Sequence, residues 1–281
     1  MALVKVSEIL KWADDANTCA IAFNCFDYNM VKSVVNVAQE QNKPVIIMLY
    51  PEHYYANNIT QPGAFAGMVK DIAEKSKASV GLHLDHSSDY DFIVSAIRDG
   101  FTSVMCDGSM YSLEENIALT KKVIETAHIF GVDVEAELGH IGLGIDNAGK
   151  NTDVYTTPES LAYFAQQTNV DSVAVAIGSA HGVYKETPKL DLERLKELNA
   201  ATDVPLVLHG GSGIPNDQLE IAFKNGINKI NVGTEFFQCY YDAVSEFCHP
   251  QKQNSSILDM PSFVQGKLMD YLRVKMQLSK F

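Results

Sequence analysis

The stretch Val80-Gly-Leu-His-Leu-Asp-His86 is an apolar run that ends on an Asp-His pair. Two later runs, Ser172-Val-Ala-Val-Ala-Ile-Gly-Ser-Ala-His181 and Pro205-Leu-Val-Leu-His209, also end on histidine. Each run has the near-continuous apolar composition of a strand buried in a parallel sheet. In parallel barrels, active sites lie at the C-terminal ends of the strands. We therefore expect the three terminal histidines to meet at one rim.

Apolar runs of this kind recur along the chain and alternate with segments of helical period. The runs are Cys19–Cys25, Pro44–Tyr50, Ser79–Asp85, Ser103–Asp107, Val132–Leu138, Ser172–Ile177, Pro205–His209 and Lys229–Val232. The helical segments include Met30–Gln41, Tyr90–Asp99, Leu113–Phe130, Pro158–Thr168, Asp191–Ala200 and Asp217–Asn225. This alternation indicates parallel βα units. It predicts an α/β fold closed as a (β/α)8 TIM barrel, with an open doubly wound sheet as the alternative.

The length and composition favour one domain over residues 1–281. The chain has 281 residues and is 46% hydrophobic, enough to bury the core of a single barrel. After Phe247 the pattern changes to a polar link, which is followed by a mixed helix from Asp259 to about Ser279. We interpret residues 250–281 as a C-terminal helical extension that packs on the barrel or on a second subunit.

The charge and the cysteines exclude several classes of protein. A formal charge of -13 at pH 7 disfavours binding to nucleic acid and to anionic membranes. The chain contains neither a signal-peptide pattern nor an apolar stretch long enough to cross a bilayer. The five cysteines are odd in number and lack CxxC spacing, so no disulfide framework is expected. A cytoplasmic protein fits these features.

The three strand-end histidines predict a metal site. A single histidine in such a position is usually structural, but three with the same placement change that interpretation. Three neutral imidazoles with one open position suit a catalytic zinc ion. His83 lies earlier on its strand, and we interpret it as packing inside the barrel.

Acidic residues occupy similar positions. Asp85 precedes His86, and Asp107 ends the fourth strand. Glu135 and Glu137 are two residues apart and therefore lie on one face of the fifth strand. Buried carboxylates are costly unless they are paired or bind a metal. The competing interpretation is internal salt bridges, with Lys229 as one partner.

Glycine-bearing turns suggest where an anion binds. His209-Gly-Gly-Ser-Gly213 follows the seventh strand, and Asn231-Val-Gly-Thr234 ends the eighth. Amides after these two strands often hold phosphate in TIM barrels. Together with Gly178-Ser-Ala-His-Gly182 and Lys185 after the sixth strand, they predict a phosphate site beside the metal.

From Phe23 to Glu235 the chain resembles the class II, metal-dependent ketose-bisphosphate aldolases that act on fructose or tagatose bisphosphate. The motifs that carry this resemblance are Leu82-His-Leu-Asp-His86, Met105-Cys-Asp-Gly-Ser109, Val134-Glu-Ala-Glu-Leu-Gly139, Ala176-Ile-Gly-Ser-Ala-His-Gly182, Leu208-His-Gly-Gly-Ser-Gly213 and Lys229-Ile-Asn-Val-Gly-Thr-Glu235. They occur in the family's order. The resemblance implies retro-aldol cleavage of a phosphorylated ketose to dihydroxyacetone phosphate and an aldehyde. The ketose is fructose or tagatose 1,6-bisphosphate, or a variant ketose 1-phosphate such as a sulfonated or deoxy analogue.

The resemblance also implies roles for single residues. It makes His86, His181 and His209 ligands of a divalent metal, usually zinc, and it places Glu137 and Asp107 at a secondary metal position. Asp85 matches the acid/base at the hydroxyl of the cleaved carbon. The residues that match the pocket for dihydroxyacetone phosphate are Asn24, Gly182, Lys185, Gly211, Ser212, Asn231 and Thr234. The implied cofactor is Zn2+ or another divalent metal, with a monovalent cation as a second candidate ion, and the implied assembly is a homodimer or homotetramer.

One loop departs from the family's pattern. The family has a glutamate there that moves a proton on dihydroxyacetone phosphate, whereas this chain has Ile145 at that position and Leu143 in place of a glycine. An isoleucine cannot transfer a proton. Either Asp146, Asp153, His140 or a water molecule takes over, or the chain catalyses a variant reaction, or its activity is degraded.

Three further functions remain as alternatives. A Schiff-base aldolase needs a lysine midway or late on an inner strand, whereas Lys229 is expected to start the eighth strand, far from the chemistry. A non-catalytic, metal-holding barrel that acts as a partner subunit would explain Ile145, but retention of Asp85 argues against it. A different barrel metalloenzyme, such as an epimerase or hydrolase, is the third.

Overall fold

The eight strands form one closed parallel barrel in chain order. This architecture comes from a computed structural model that describes residues 3–52, 61–139, 155–249 and 256–281. Neighbouring strands pair in parallel around the whole ring, and β1 pairs with β8 to close it. The predicted TIM barrel is therefore confirmed, and the open doubly wound sheet is wrong.

The strands lie where the apolar runs predicted them. They are β1 Ala20–Asn24, β2 Val45–Leu49, β3 Val80–Leu84, β4 Ser103–Cys106, β5 Asp133–Leu138, β6 Ser172–Val175, β7 Leu206–Leu208 and β8 Ile227–Val232. The start of β8 was predicted at Lys229 but lies at Ile227. The start was missed because the polar residue Asn228 interrupts the apolar run. Asn228 is accommodated in the buried strand because its side-chain oxygen accepts a hydrogen bond from the Leu206 amide at 3.2 Å.

Ten α-helices are described; the first precedes β1, and the others follow strands or form the C-terminal extension. They are α1 Val6–Asp15, α2 Tyr28–Gln41, α3 Pro62–Glu74, α4 Tyr90–Asp99, α5 Leu113–Ile129, α6 Pro158–Thr168, α7 Leu192–Ala201, α8 Asn216–Lys224, α9 Thr234–Cys248 and α10 Met260–Lys275. The helical segments named from the sequence match α2 and α4 to α8. Across the described ranges, none of the helices has both the length and the apolar composition to span a membrane.

Helix α1 closes the N-terminal end of the barrel. Its apolar residues pack against inward-facing side chains of β1 and β2 to form a small core of their own; the cluster is Val6, Ile9, Leu10, Ala13, Ala20, Ala22, Ile46 and Met48. Gly81 permits this close approach, because a Cβ atom there would lie 2.9 Å from Val6 Cγ2. The C-terminal end of the strands is consequently the end that can open to a substrate.

The C-terminal extension packs on its own barrel, in the groove between α2 and α9. The side-chain amide of Gln41 donates to the carbonyl of Arg273 at 2.8 Å, and Lys43 Nζ donates to the carbonyl of Met276 at 2.8 Å. These bonds satisfy carbonyls at the end of α10 that have no partner within the helix.

Candidate active site

Three histidines from three strands meet at the open rim of the barrel. His86 follows β3, His181 lies in the loop after β6, and His209 follows β7. The ring centroid of His86 lies 4.8 Å from that of His181 and 4.6 Å from that of His209. One nitrogen from each ring falls within 4.8 Å of the others, so the three could bind a single ion. Their close approach is the arrangement that the strand-end rule predicted.

The backbone at His86 is strained. Its φ is 41°, in the left-handed region that side chains with a Cβ seldom occupy. His86 is the second residue after the end of β3 at Leu84. Strain of this kind persists only where the surrounding structure fixes it, and it concentrates at functional sites.

Two of the rings are oriented by carboxylates. His86 Nδ1 lies 2.8 Å from Asp107 Oδ2, and His209 Nε2 lies 2.9 Å from Glu135 Oε1. A carboxylate on one ring nitrogen fixes the tautomer and leaves the other nitrogen as a metal ligand. His209 Nδ1 is fully buried and has no hydrogen-bond partner in the described part of the chain. A divalent cation would satisfy this nitrogen, so the donor set fits a metal.

The two acids predicted at a secondary metal position lie beside His86. Glu137 Oε2 is 3.8 Å from His86 Nδ1 and 3.5 Å from His209 Nδ1. The ligand atoms of His86, Asp107 and Glu137 form a second group that could hold an ion. Both ion positions would share His86.

The electrostatics around His86 favour a positive charge. Burial alone would lower the pKa of its imidazole, but Asp85, Asp107 and Glu137 outweigh burial and raise it to about 9. For His209 the balance is opposite: burial and the neighbouring His86 and Lys229 hold the pKa well below its ordinary value, despite Asp85. A neutral His209 is available as a ligand, and the surrounding carboxylates attract the cation that it would bind.

Asp85 is held by two amides. Asn24 on β1 donates to one carboxylate oxygen at 2.8 Å, and Asn231 on β8 donates to the other at 3.0 Å. Burial alone would raise the pKa of Asp85, but His86, His209, Lys229 and the bond from Asn24 outweigh it and lower the pKa. Asp85 is therefore ionised and fixed in position, as a general base must be. The sequence predicted that both asparagines contact the substrate, but it did not predict their hydrogen bonds to Asp85.

Lys229 lies deeper in the site than expected. It is the third residue of β8, and its fully buried ammonium reaches Glu135 Oε2 at 2.7 Å and Oε1 at 3.0 Å. The expectation that it sits far from the chemistry is wrong, because Glu135 in turn contacts His209. Burial would raise the pKa of Glu135, but Lys229 and His83 outweigh it and lower the pKa. The salt-bridge interpretation of Glu135 therefore holds, and the pair orients His209.

Removing the ammonium should destabilise the barrel. We expect Lys229→Met to lower the free energy of unfolding by about 3–5 kcal/mol, because it leaves Glu135 as an uncompensated buried charge. Urea denaturation of metal-stripped protein measures the change. The Glu135→Leu/Lys229→Met double variant should recover much of the loss. A single variant as stable as the wild type would show that Glu135 does not depend on Lys229.

His83 lies inside the barrel, as predicted. It is fully buried, and its Nδ1 lies 2.8 Å from Ser103 Oγ. Burial, with Lys229 adding to it, lowers the pKa of His83 well below its ordinary value, despite Glu135. It thus resembles His209 in burial, but it belongs to neither group of candidate metal ligands.

A cavity of about 410 Å³ opens at the rim of the barrel, beside Asp85, His86 and His181. The residues that line it are Asn24, Tyr50, Glu52, Asp85, His86, Asp107, Ser109, Met110, Glu137, His181, Gly182, Gly210, Ser212, Asn231, Gly233, Thr234 and Phe237. Most predicted site residues are therefore in one place. Sequence reasoning missed Tyr50, Glu52 and Met110; the first two follow β2, and Met110 follows β4, so the strand-end rule could have found them.

Most of the residues predicted to bind phosphate line a cavity, whereas Gly211 does not. Gly182, Ser212 and Thr234 line both the main cavity and an adjoining one of about 790 Å³, which Lys185 also lines. Thr234 is the first residue of α9, so the amides of a helix N-terminus face this region. Gly211 lines neither cavity, and its amide donates to the Asn231 carbonyl at 3.1 Å. A Cβ there would lie 2.5 Å from the Ile230 side chain, so Gly211 serves packing.

The departing loop lies outside the described residues. His140, Leu143, Ile145, Asp146 and Asp153 all fall in the range 140–154. The group that replaces the family's glutamate therefore stays a prediction from the sequence: Asp146, Asp153, His140 or a water molecule.

Comparisons with known proteins agree with this geometry. A family model described as class II fructose-bisphosphate aldolase matches residues 4–279. A probable fructose-bisphosphate aldolase of Bacillus subtilis is 37% identical over 84% of this chain and 82% of its own length. A fructose-bisphosphate aldolase of Staphylococcus aureus is 38% identical with the same two coverages, 84% and 82%. The crystal structure of the YdjI aldolase of Escherichia coli superposes with a TM-score of 0.87 at 34% identity, covering 99% of this chain and 97% of that one.

Proposed function

Because the chain belongs to the class II fructose-bisphosphate aldolase family and is an aldolase, a carbon-carbon lyase, we propose that it cleaves a phosphorylated ketose to dihydroxyacetone phosphate and an aldehyde. The observation that carries this proposal is Asp85, an ionised carboxylate fixed between two asparagines beside the histidine cluster. The substrate is fructose 1,6-bisphosphate, as the relatives' names suggest, or tagatose 1,6-bisphosphate or a related ketose 1-phosphate.

The metal that this family requires is, in our proposal, zinc. His86, His181 and His209 would hold it, since three imidazoles with an open position suit zinc. Glu137 and Asp107 would serve the secondary position. A bound divalent ion supplies positive charge that polarises a ketose carbonyl.

The side chains around the metal position would transfer the proton, position the carboxylate and bind the phosphate. Asp85 accepts the proton of the hydroxyl on the carbon that becomes the aldehyde. As the carbon-carbon bond breaks, its electron pair stays with the dihydroxyacetone phosphate half, which later takes up a proton. Asn24 and Asn231 keep the carboxylate aimed at that hydroxyl. Ser212, Thr234 and the N-terminus of α9 bind the phosphate, with Gly182 and Lys185 at the side of that site.

We further propose that residues 1–281 act as one domain and that the protein assembles as a homodimer or homotetramer. Supporting the single domain, α10 packs on the barrel through α2 and α9. Sedimentation velocity of the purified protein measures the assembly.

Release of dihydroxyacetone phosphate from a panel of ketose phosphates tests the function. The panel contains fructose and tagatose 1,6-bisphosphate, fructose 1-phosphate, and its six-deoxy and six-sulfonated analogues. We expect at least one to be cleaved, with activity lost by roughly 10³-fold or more on chelation and restored by Zn2+. Cleavage that survives chelation, together with a covalent adduct of protein and substrate after borohydride reduction, would instead indicate a Schiff-base lysine.

A further inference from the structure

The main cavity continues on one side into a second depression, which we call the outer groove. The outer groove has a volume of about 320 Å³, and its lining includes Tyr50, Glu52, His86, Asp107 and Met110, all of which also line the main cavity. The predicted phosphate residues lie elsewhere, at the adjoining cavity with Lys185 and Thr234. If the proposed function holds, the outer groove receives the aldehyde half of the substrate.

The two sides of the site differ in whether a lysine lines them. Among the described residues that line the main cavity and the outer groove there is no lysine or arginine. The charged side chains that face the outer groove are the carboxylates of Glu52, Asp89 and Asp107, together with His86. The adjoining cavity contains two lysines, Lys185 and Lys267, although it also has carboxylates in its lining, those of Glu186, Glu235, Asp242 and Glu246. Lys267 pairs with Glu246 at 2.8 Å, so Lys185 is the lysine that we assign to the phosphate side.

A ketose bisphosphate needs an anion site at each end. Proteins bind a phosphate dianion with arginine, lysine or an array of amides. At the aldehyde end it would instead approach the carboxylate of Glu52, and juxtaposed like charges repel. The described part of the site therefore provides for one phosphate.

The outer groove has groups that suit an uncharged, hydroxyl-bearing chain. The carboxylate of Glu52 and the hydroxyls of Ser87 and Ser88 can bond to sugar hydroxyls. The ring of Tyr50 stands edge-on to His86, with centroids 5.9 Å apart, and forms one wall against which carbon atoms can pack. We infer that the aldehyde half carries hydroxyls and no phosphate, so that the substrate is a ketose 1-monophosphate. Glu52 is the residue that selects against a second phosphate.

A matched pair of ligands tests this inference. Fructose 1-phosphate and fructose 1,6-bisphosphate differ by the one phosphate in question. We expect kcat/KM for release of dihydroxyacetone phosphate to be higher for the monophosphate by roughly tenfold or more. Calorimetry with the Asp85→Ala protein should show the same preference in Kd, whether or not cleavage occurs. A preference for the bisphosphate, either in kcat/KM of the wild type or in Kd of the Asp85→Ala protein, would overturn the inference.

Charge reversal at Glu52 separates this selection from the proposed function. Glu52→Lys should move the preference toward the bisphosphate by roughly tenfold, and Glu52→Gln should move it part of the way. Glu74→Lys is the control, because it makes the same charge change at the C-terminal end of α3, a helix with no residue in the lining of the main cavity or the outer groove. A ratio that Glu52→Lys leaves unchanged contradicts the role of Glu52. Failure of every ketose phosphate to yield dihydroxyacetone phosphate contradicts the proposed function, and the calorimetric ratio then still decides the inference.

Discussion

His209→Ala is expected to lose most of its bound metal and activity while the protein stays folded. His209 is fully buried, and its Nδ1 is the nitrogen that a metal would satisfy. Removing the ring deletes one of the three proposed ligands, which should weaken metal binding by more than the roughly 10–100-fold that loss of a ligand's carboxylate partner costs. The ion pair between Glu135 and Lys229 does not depend on the ring, so the barrel interior keeps its charge balance.

His83→Ala is the matched control for this experiment. His83 is an equally buried histidine on β3, and it lies 3.9 Å from the same glutamate, Glu135. It should lose stability through the cavity that forms, yet keep the wild-type metal content. Metal-to-protein ratios after dialysis, measured beside circular dichroism, distinguish the two variants. Full metal occupancy in a folded His209→Ala protein would remove this histidine from the site.

The fold was readable from the sequence because its signals are local. Each strand is a short apolar run, and the strand-end rule places the residue that follows it on the open rim. This reasoning found His86, His181 and His209 without knowledge of any contact. Helix α1 was missed although its signal is present: Val6, Ile9, Leu10 and Ala13 have the spacing of one helical face.

The contacts between site residues could not be read in the same way. Asn24 and Asn231 reach Asp85 from sequence separations of 61 and 146 residues, and only closure of the barrel between β1 and β8 brings them together. Lys229 was misjudged because its long side chain crosses the barrel interior to Glu135. Side-chain reach across a barrel depends on the register between distant strands, which no local pattern encodes.

Asp85→Ala is expected to lower the turnover number for cleavage by roughly 10²–10⁴-fold, the usual contribution of a positioned acid/base. The variant should keep its metal, because the groups of candidate ligand atoms do not include Asp85. It should also keep its affinity for dihydroxyacetone phosphate, since the predicted phosphate contacts come from Ser212, Thr234 and α9. Metal analysis and calorimetric titration with dihydroxyacetone phosphate establish these two conditions before the rate is measured.

Asp85→Asn adds a test of how the carboxylate is held. An asparagine has nearly the same shape, but its amide nitrogen would face the donor of either Asn24 or Asn231, so one of the two hydrogen bonds becomes a repulsive contact. We expect its rate to fall about as far as that of Asp85→Ala, because a neutral amide cannot take the proton. Asn24→Ala should lose less, since Asn231 still holds one oxygen of the carboxylate. An unchanged turnover number in both Asp85 variants would remove Asp85 from the mechanism and favour a metal-holding barrel that works as a partner subunit.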